Sequence, residues 1–373
     1  MNRFYLLLTF ISIVASLHSV KSQVVGPAGV GTGDGSSGPQ NVLWLRSDIG
    51  ISQSAGKVSA WADQSGNNLH ASQSTPGLQA DYTASNANLN GFPSINFGAS
   101  GGYLTIGDDD LLDDTDGLTA FFVFRTPSSI GTEGILSKRV SNGNEQSYVF
   151  FTTSGGFEAR FDGDGGVDSE NSTISADDNL VISSVFNGSV QSISNFVNTA
   201  DGGVQTGASN LLNNENSDLF LGNFNTSDTR NFTGDIAEII IFRDALNGAE
   251  RLIVENYLAE KYSLNVTNDI FGEFANFTSN YFNDFRAIGT TDGTSKRSES
   301  GFSDAFQIRE INGGLDTNLE FFAVGHNDAV AHSEGVVTDL GANITSRWGK
   351  DFYLENSQNN VIDNGESDMD LIF

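Results

Sequence analysis

The chain contains no cysteine. Disulfides, thiolate metal sites and thiol nucleophiles are therefore excluded, and so is a lipid-anchored cysteine. Proline is scarce, with 5 in 373 residues. Basic residues are few: 18 Lys and Arg stand against 47 Asp and Glu, giving a formal net charge of −29. A field of that sign repels a phosphate backbone, so no nucleic-acid partner is expected. It suits a soluble protein in a salty medium, where screening weakens the self-repulsion. Beyond the first residues no apolar run is long enough to span a bilayer, so an integral membrane protein is not expected.

What is present points to strands. Hydrophobic residues make up 38%, including 28 Phe, and 42 Gly punctuate the apolar runs together with Asn, Ser, Thr and Asp. That composition reads as all-β with many turns. The N-terminus has the form of a signal peptide: Asn2 and Arg3, an apolar run Phe4–Leu17, then Val20-Lys21-Ser22 with small residues flanking a cut near Ser22. Export to the extracellular space or the outer cell surface is the expected consequence. Residues 23–40 are rich in Gly, Ser and Pro and read as a flexible leader.

Strands are predicted at Leu118–Arg125, Tyr148–Thr152, Phe157–Phe161, Leu180–Phe186, Val190–Val197, Leu219–Gly222 and Ile236–Phe242. In Phe157–Phe161 the alternation is clean, with Phe157, Ala159 and Phe161 on one face and Glu158 and Arg160 on the other. Turns are predicted at Asp162–Gly166, Asn187-Gly188 and Asp201–Gly203. Short, evenly spaced strands of this kind predict a sandwich of two antiparallel sheets. One helix is predicted over Gly248–Lys261. Asn247 caps it and Glu250 completes a capping box. Ala249, Leu252, Ile253 and Tyr257 form its apolar face, and Arg251, Glu255 and Glu260 are expected in solvent. Ser263–Thr267 reads as a boundary. Residues 268–373 read as a second β-rich domain, with strands at Leu319–Gly325 and Trp348–Leu354. The chain stops in MDLIF (Met369–Phe373), a strand-like run, so this second domain is expected to be incomplete and the protein longer.

Three opening motifs, VLWLRS (Val42–Ser47), GKVSAWADQSGN (Gly56–Asn67) and NGFPSINFGASGGYLTI (Asn90–Ile106), and the closing stretch Gly234–Tyr262 together resemble bacterial laminin-G-like, concanavalin A-like lectin/glucanase domains. The match in order and spacing runs over residues 41–264. Residues 268–373 are similar to an uncharacterised domain that often succeeds such modules in secreted proteins of Bacteroidetes-type bacteria. The resemblance implies a jelly-roll sandwich with one short closing helix and an extracellular binding or adhesion role. It does not itself imply catalysis.

Chemistry-bearing residues are sparse. Retaining glycosidases need two carboxyl groups about 5–5.5 Å apart. Asp235 and Glu238 have the wrong spacing for a catalytic run on one strand, and Glu366-Ser367-Asp368-Met369-Asp370 only approximates it. No complete catalytic carboxylate motif is found. Calcium, a hard cation that takes carboxylate and carbonyl oxygens, is the expected cofactor, in a structural role. Its candidate ligands are Asp162 and Asp164 in DGDGGVD, and Asp63 and Asp235 in the resembling motifs. The first pair also reads as a hairpin turn and Asp63 as a turn-maker. The run Asp108–Asp116 packs six Asp into nine residues, which calls for solvent or a bound cation. Trp44 and Trp61 read as core, while Tyr103 and Tyr148 are left open between core and sugar stacking. The main expectation is a non-catalytic carbohydrate-binding or adhesion module of a larger secreted protein, with glycans or cell-surface polysaccharide as partners. A polysaccharide-degrading component and a purely structural spacer stay open.

Overall fold

In a computed structural model the described residues are 24–98, 101–113, 115–140, 146–163, 166–270, 283–303, 306–310, 320–326, 352–355 and 361–362. The expected signal peptide, Asp164, Glu366–Asp370 and Met369–Phe373 lie outside them.

The strands are β1 (Asn41–Arg46), β2 (Ile51–Ser54), β3 (Lys57–Trp61), β4 (Ala71–Ser72), β5 (Asp81–Thr83), β6 (Ser94–Asn96), β7 (Leu104–Ile106) and β8 (Gly117–Arg125). Next come β9 (Glu133–Arg139), β10 (Gln146–Thr153), β11 (Gly156–Gly163), β12 (Gly166–Ser172), β13 (Asn179–Asn187), β14 (Ser192–Val197), β15 (Ala200–Thr206), β16 (Leu219–Leu221) and β17 (Asp235–Phe242). The helix α1 spans Gly248–Tyr262. After it come β18 (Asn283–Thr290), β19 (Lys296–Arg297), β20 (Glu299–Ser303), β21 (Phe306–Glu310), β22 (Glu320–His326), β23 (Phe352–Glu355) and β24 (Val361–Ile362).

Every pairing among the first seventeen strands is antiparallel. One sheet runs β17–β8–β13–β14–β15, with β1 and β6 sharing the far edge of β17. The other runs β12–β11–β10–β9–β16–β7–β4–β3–β2. The β5–β6 pair joins the two at one side. This is the two-sheet jelly-roll sandwich expected of the sequence. Its interior takes the inward-pointing residues of both sheets, among them Phe122, Phe124, Phe150, Phe157, Phe161, Ile239, Ile241 and the fully buried Trp61. Period-two alternation places them there.

Turn chemistry explains one departure from expectation. Asp201–Gly203, predicted as a turn, lies inside β15. The reversal sits earlier, at Asn198 and Thr199, whose φ values of 48° and 64° make a two-residue hairpin turn with both positions left-handed. Asn tolerates that conformation well. Thr199 is held in it by Asn268, which donates to both its hydroxyl and its carbonyl.

The helix starts where the capping box places it: the Asn247 carboxamide oxygen accepts from Ala249 and Glu250, and Glu250 accepts from the Asn247 amide. It ends at Ser263, in the left-handed region, whose neighbour Leu264 donates back to Ala259. Leu252, Ile253 and Tyr257 pack on the outer face of the β17–β8–β13 sheet against Phe121, Val123, Val181 and Ile240.

The helix is not wet on its far side. Arg251 and Glu255 are buried, contrary to expectation. Glu255 accepts from the Ser183 hydroxyl on β13 and from Arg251, whose guanidinium lies 3.5 Å from the Phe196 ring centroid. Ala287 on β18 and Phe321 on β22 join the same apolar cluster. A helix read alone shows a polar stripe; Ser183 on β13 and Phe196 on β14 take up part of it.

The expected leader is also packed from Val24 on. Ala28 and Val30 enter the helix-side cluster. The Gly29 carbonyl accepts from Arg297 and Ser300, and Thr32 bridges to both Val25 and Gln40. Its glycines serve turns, with Gly29, Gly31, Gly35 and Gly38 all at positive φ, not chain freedom. Among the described residues no helix is long and apolar enough to cross a membrane.

Candidate functional site

Of the acids singled out in the sequence, Asp63 and Asp235 accept hydrogen bonds within the fold. Asp63 Oδ1 accepts from the Trp44 and Ser65 amides, both at 2.9 Å, and Oδ2 accepts from the Ser65 hydroxyl at 2.7 Å and the Leu69 amide at 3.2 Å. Four donors fill the carboxylate, which organises the loop between β3 and β4. Asp235 accepts from Asn96 and Asn86. Asp162 is buried near the end of β11, and β11 and β12 pair up to Gly163 and Gly166, so the run reads as a hairpin. Asp164 falls outside the described residues. Among the described residues no group of three or more His, Cys, Asp or Glu is placed to hold a metal ion.

The run Asp108–Asp116 has found its cation within the chain. The fully buried Lys138 ammonium lies 2.5 Å from Asp108 and 3.2 Å from Asp113, and donates to the Ser217 carbonyl. Burial pushes the Asp113 carboxyl up, against the pull of the Glu215 amide and of Lys138. Tyr148, one of the open tyrosines, is core: its ring packs on Phe150 and Phe161, and burial pushes its phenol well up.

Glu238 cannot serve as a catalytic acid. It is buried on β17, where Oε1 accepts from the Trp44 indole at 2.6 Å and Oε2 from Lys261 and Tyr262, both at 2.8 Å.

A cleft of about 550 Å³ opens at the loop end, lined by Asp34, Gln40, Thr115, Asp116, Arg243 and Asp244. Asp244 Oδ2 accepts from the Gln40 amide at 2.6 Å, and burial raises its carboxyl. The cleft is the seam along which the N-terminal segment is stitched to the sandwich. It has no aromatic lining and its best-placed acid is spent on backbone.

The richer surface is the outer face of the second sheet. Phe157, Ala159 and Phe161 point inward, so Glu158, Arg160 and Asp162 point out. Across the strands the register aligns Thr105 (β7), Phe220 (β16), Ser137 (β9), Val149 (β10) and Arg160 (β11) in one row. Tyr103 flanks it, 5.8 Å from the Phe220 ring. Beside the row Phe151 meets Phe224, from the β16–β17 loop, at 5.5 Å. That loop crosses close over β9, where a Cβ on Gly134 would stand 2.7 Å from the Asn223 carbonyl carbon, so only glycine fits. Three guanidiniums complete the face. Arg139 and Arg230 lie 4.3 and 4.4 Å from the Phe224 centroid, and Arg160 lies 5.3 Å from that of Phe151. Asp228 pairs with Arg139 and Arg230, and Glu158 with Arg160. Burial lowers Arg139 to about 10, countered by Asp228 and assisted by Arg230 and Arg160.

Residues 97–250 match the family described as the concanavalin A-like lectin/glucanases superfamily. No curated protein sequence matches the chain. Among solved structures, the binding domain of a paraclostridial mosquitocidal protein is 11% identical, covering 85% of this chain and 75% of that one, with a TM-score of 0.44. The CBM40 of a Ruminococcus gnavus sialidase, bound to α2,3-sialyllactose, is 15% identical over 38% of this chain and 83% of that one, TM-score 0.33. Domain 4 of an extracellular GH43 arabinanase from Geobacillus stearothermophilus, in complex with arabinotriose, is 11% identical over 58% of this chain and 98% of that one, TM-score 0.41. On the sandwich the first sheet's outer face is taken up by α1, and the second sheet's carries the aromatic and guanidinium groups.

Of these residues the sequence singled out Tyr103 and assigned Arg160 to the outward face. Phe220, Phe224 and Arg230 were missed. Phe224 and Arg230 sit in a loop, where periodicity says nothing about facing.

Proposed function

We propose that the protein is a secreted or cell-surface carbohydrate-binding module of a larger protein, non-catalytic, with its glycan on the outer face of the second sheet. The observation that carries this reading is the row Thr105–Phe220–Ser137–Val149–Arg160 with Tyr103 at its end. Phe220, Ser137 and Val149 are buried; Tyr103, Thr105 and Arg160 are partly exposed and offer a sugar one ring and fixed polar groups for its hydroxyls. The fold family is one of lectins and glucanases. Binding is favoured over hydrolysis because Glu238 is locked by three donors and Glu158 is ion-paired to Arg160 at 2.5 Å. Both carboxyls are engaged by donors within the fold and neither is placed to meet a leaving oxygen.

A glycan array with residues 23–373 tests the reading. At least one glycan class binds, Tyr103→Ala weakens that binding about tenfold, a loss of about 1.4 kcal/mol, and prolonged incubation with the bound glycan releases no new reducing ends. A chain that binds no glycan sinks the proposal. One that cleaves its ligand turns it into the hydrolase reading.

A further inference from the structure

We propose that the glycan held on this face is anionic, a polysaccharide bearing carboxylate or sulfate groups that meet Arg160 and Arg230. The inference rests on the carbohydrate-binding reading above and names the ligand class within it.

The first argument is where the charges sit. The chain carries 18 basic residues against 47 acidic ones, yet three arginines gather around two touching phenylalanines. The face also carries Glu158, Asp162 and Asp228, so its sum is near neutral. Height separates the signs. The Arg160 and Arg230 side chains are 35% and 42% exposed, while those of their partners Glu158 and Asp228 are 11% and 12% exposed. Asp162 is 1% exposed. An approaching ligand meets guanidinium first.

The second argument is unspent donors. Arg230 uses Nε and Nη2 on Asp228 and keeps Nη1. Arg160 uses Nη2 on Glu158, and its buried Nε has no hydrogen-bond partner. Ser137, fully buried in the same row, also has an unpartnered hydroxyl. Both of those atoms are shut off from solvent, so the donors a ligand meets are those of the partly exposed Arg160 and Arg230 side chains. The arginines are also held in place: Arg230 and Arg139 lie against the Phe224 ring, and Arg160 lies against Phe151. A fixed planar fork matches carboxylate or sulfate oxygens in pairs.

Isothermal titration of residues 23–373 with three probes tests this: a polyuronate, a sulfated galactan and a neutral β-glucan. The salt is 150 mM, where a Debye length of about 8 Å screens the chain's overall charge. At least one acidic probe binds. Arg160→Gln and Arg230→Gln each weaken it at least tenfold without changing the melting temperature by more than about 2 °C, and Lys57→Gln leaves it unchanged. Which acidic probe binds separates carboxylate from sulfate recognition. Binding of the neutral probe alone, or acidic binding indifferent to both substitutions, overturns the anionic inference and leaves the carbohydrate reading standing. Binding of no glycan, here or on the array, overturns both.

Discussion

Lys261, in the last turn of the helix, donates to Glu238 on the central strand β17 at 2.8 Å, and both side chains are fully buried. The pair is the core of a wider network. Lys261 also reaches Asp48 at 3.1 Å, and Asp48 is gripped by Arg46. Burial would raise the Asp48 carboxyl, but Lys261 and Arg46 outweigh it and bring it to about 2. The Trp44 indole and Tyr262 phenol fill the remaining positions on Glu238. Strand β1, strand β17 and helix α1 are thereby tied at one point.

Breaking that pair from one side leaves a buried carboxylate without its counter-charge. Lys261→Met is expected to cost about 3–5 kcal/mol, because the surviving ion is neither solvated nor neutralised. Adding Glu238→Gln, which removes the charge and keeps hydrogen-bonding capacity for Trp44 and Tyr262, is expected to recover part of the loss. Urea unfolding of the two variants against the parent measures both. A single variant as stable as the parent would show that the network contributes nothing net.

Asp63 makes a second test, at the first of the residues expected to bind metal. Its four donors include three backbone amides. Asp63→Ala orphans them, at a cost of about 1–3 kcal/mol per unsatisfied buried group, partly relieved by water. Addition of a chelator to the parent is expected to leave the melting temperature unchanged, since a ligand selective for the folded state would have to lower it on removal. A fall on chelation would return Asp63 to metal chemistry.

These cases show what was legible in the sequence and what was not. The strands of Phe157–Phe161 and Ile236–Phe242 and the helix cap at Asn247 are local signals: period-two alternation and a capping box act within a few residues. The lectin/glucanase resemblance was legible from motif order. The pairing of Glu238 with Lys261 was not, because an acid on a strand and a lysine on a helix look like solvated residues until the two elements meet. The run Asp108–Asp116 looked like a cation site for the same reason: its cation, Lys138, comes from a different strand. Arg251 and Glu255 were read as wet because a helical stripe records the polarity of a face, not the residues it meets, here Ser183 on β13 and Phe196 on β14. Of the binding face, alternation gave the direction of Arg160 and nothing of the Phe224 loop.

The covering of α1 predicts the behaviour of a shortened chain. The sequence suggests a clean boundary near residue 264, but Arg297 and Ser300 hold the Gly29 carbonyl, and Ala287 and Phe321 cap the helix-side core. Residues 23–264 are expected to unfold at lower urea than residues 23–373 and to bind a hydrophobic dye that the longer chain does not. Equal midpoints without dye binding would make the sandwich independent of residues 265–373.

Glu260 gives the pH prediction. Burial first, and repulsion from Asp269 second, raise its carboxyl to about 7, against about 4.3 in an unfolded chain. Between those values the folded state holds a proton that the unfolded state has released, so stability falls as pH rises. The contribution is fully present below about 4.3 and lost as pH passes 7. Asp48 works the opposite way: at about 2 in the fold, it contributes stability above about 4 that disappears only in stronger acid. Asp113 and Asp244 are also raised by burial, so the effect of Glu260 is read as the difference between variant and parent from pH 5 to 8. Glu260→Gln is expected to raise the melting temperature at pH 8, change it little at pH 5, and flatten the slope between them. A variant whose slope matches the parent's would mean that Glu260 titrates as an ordinary exposed acid.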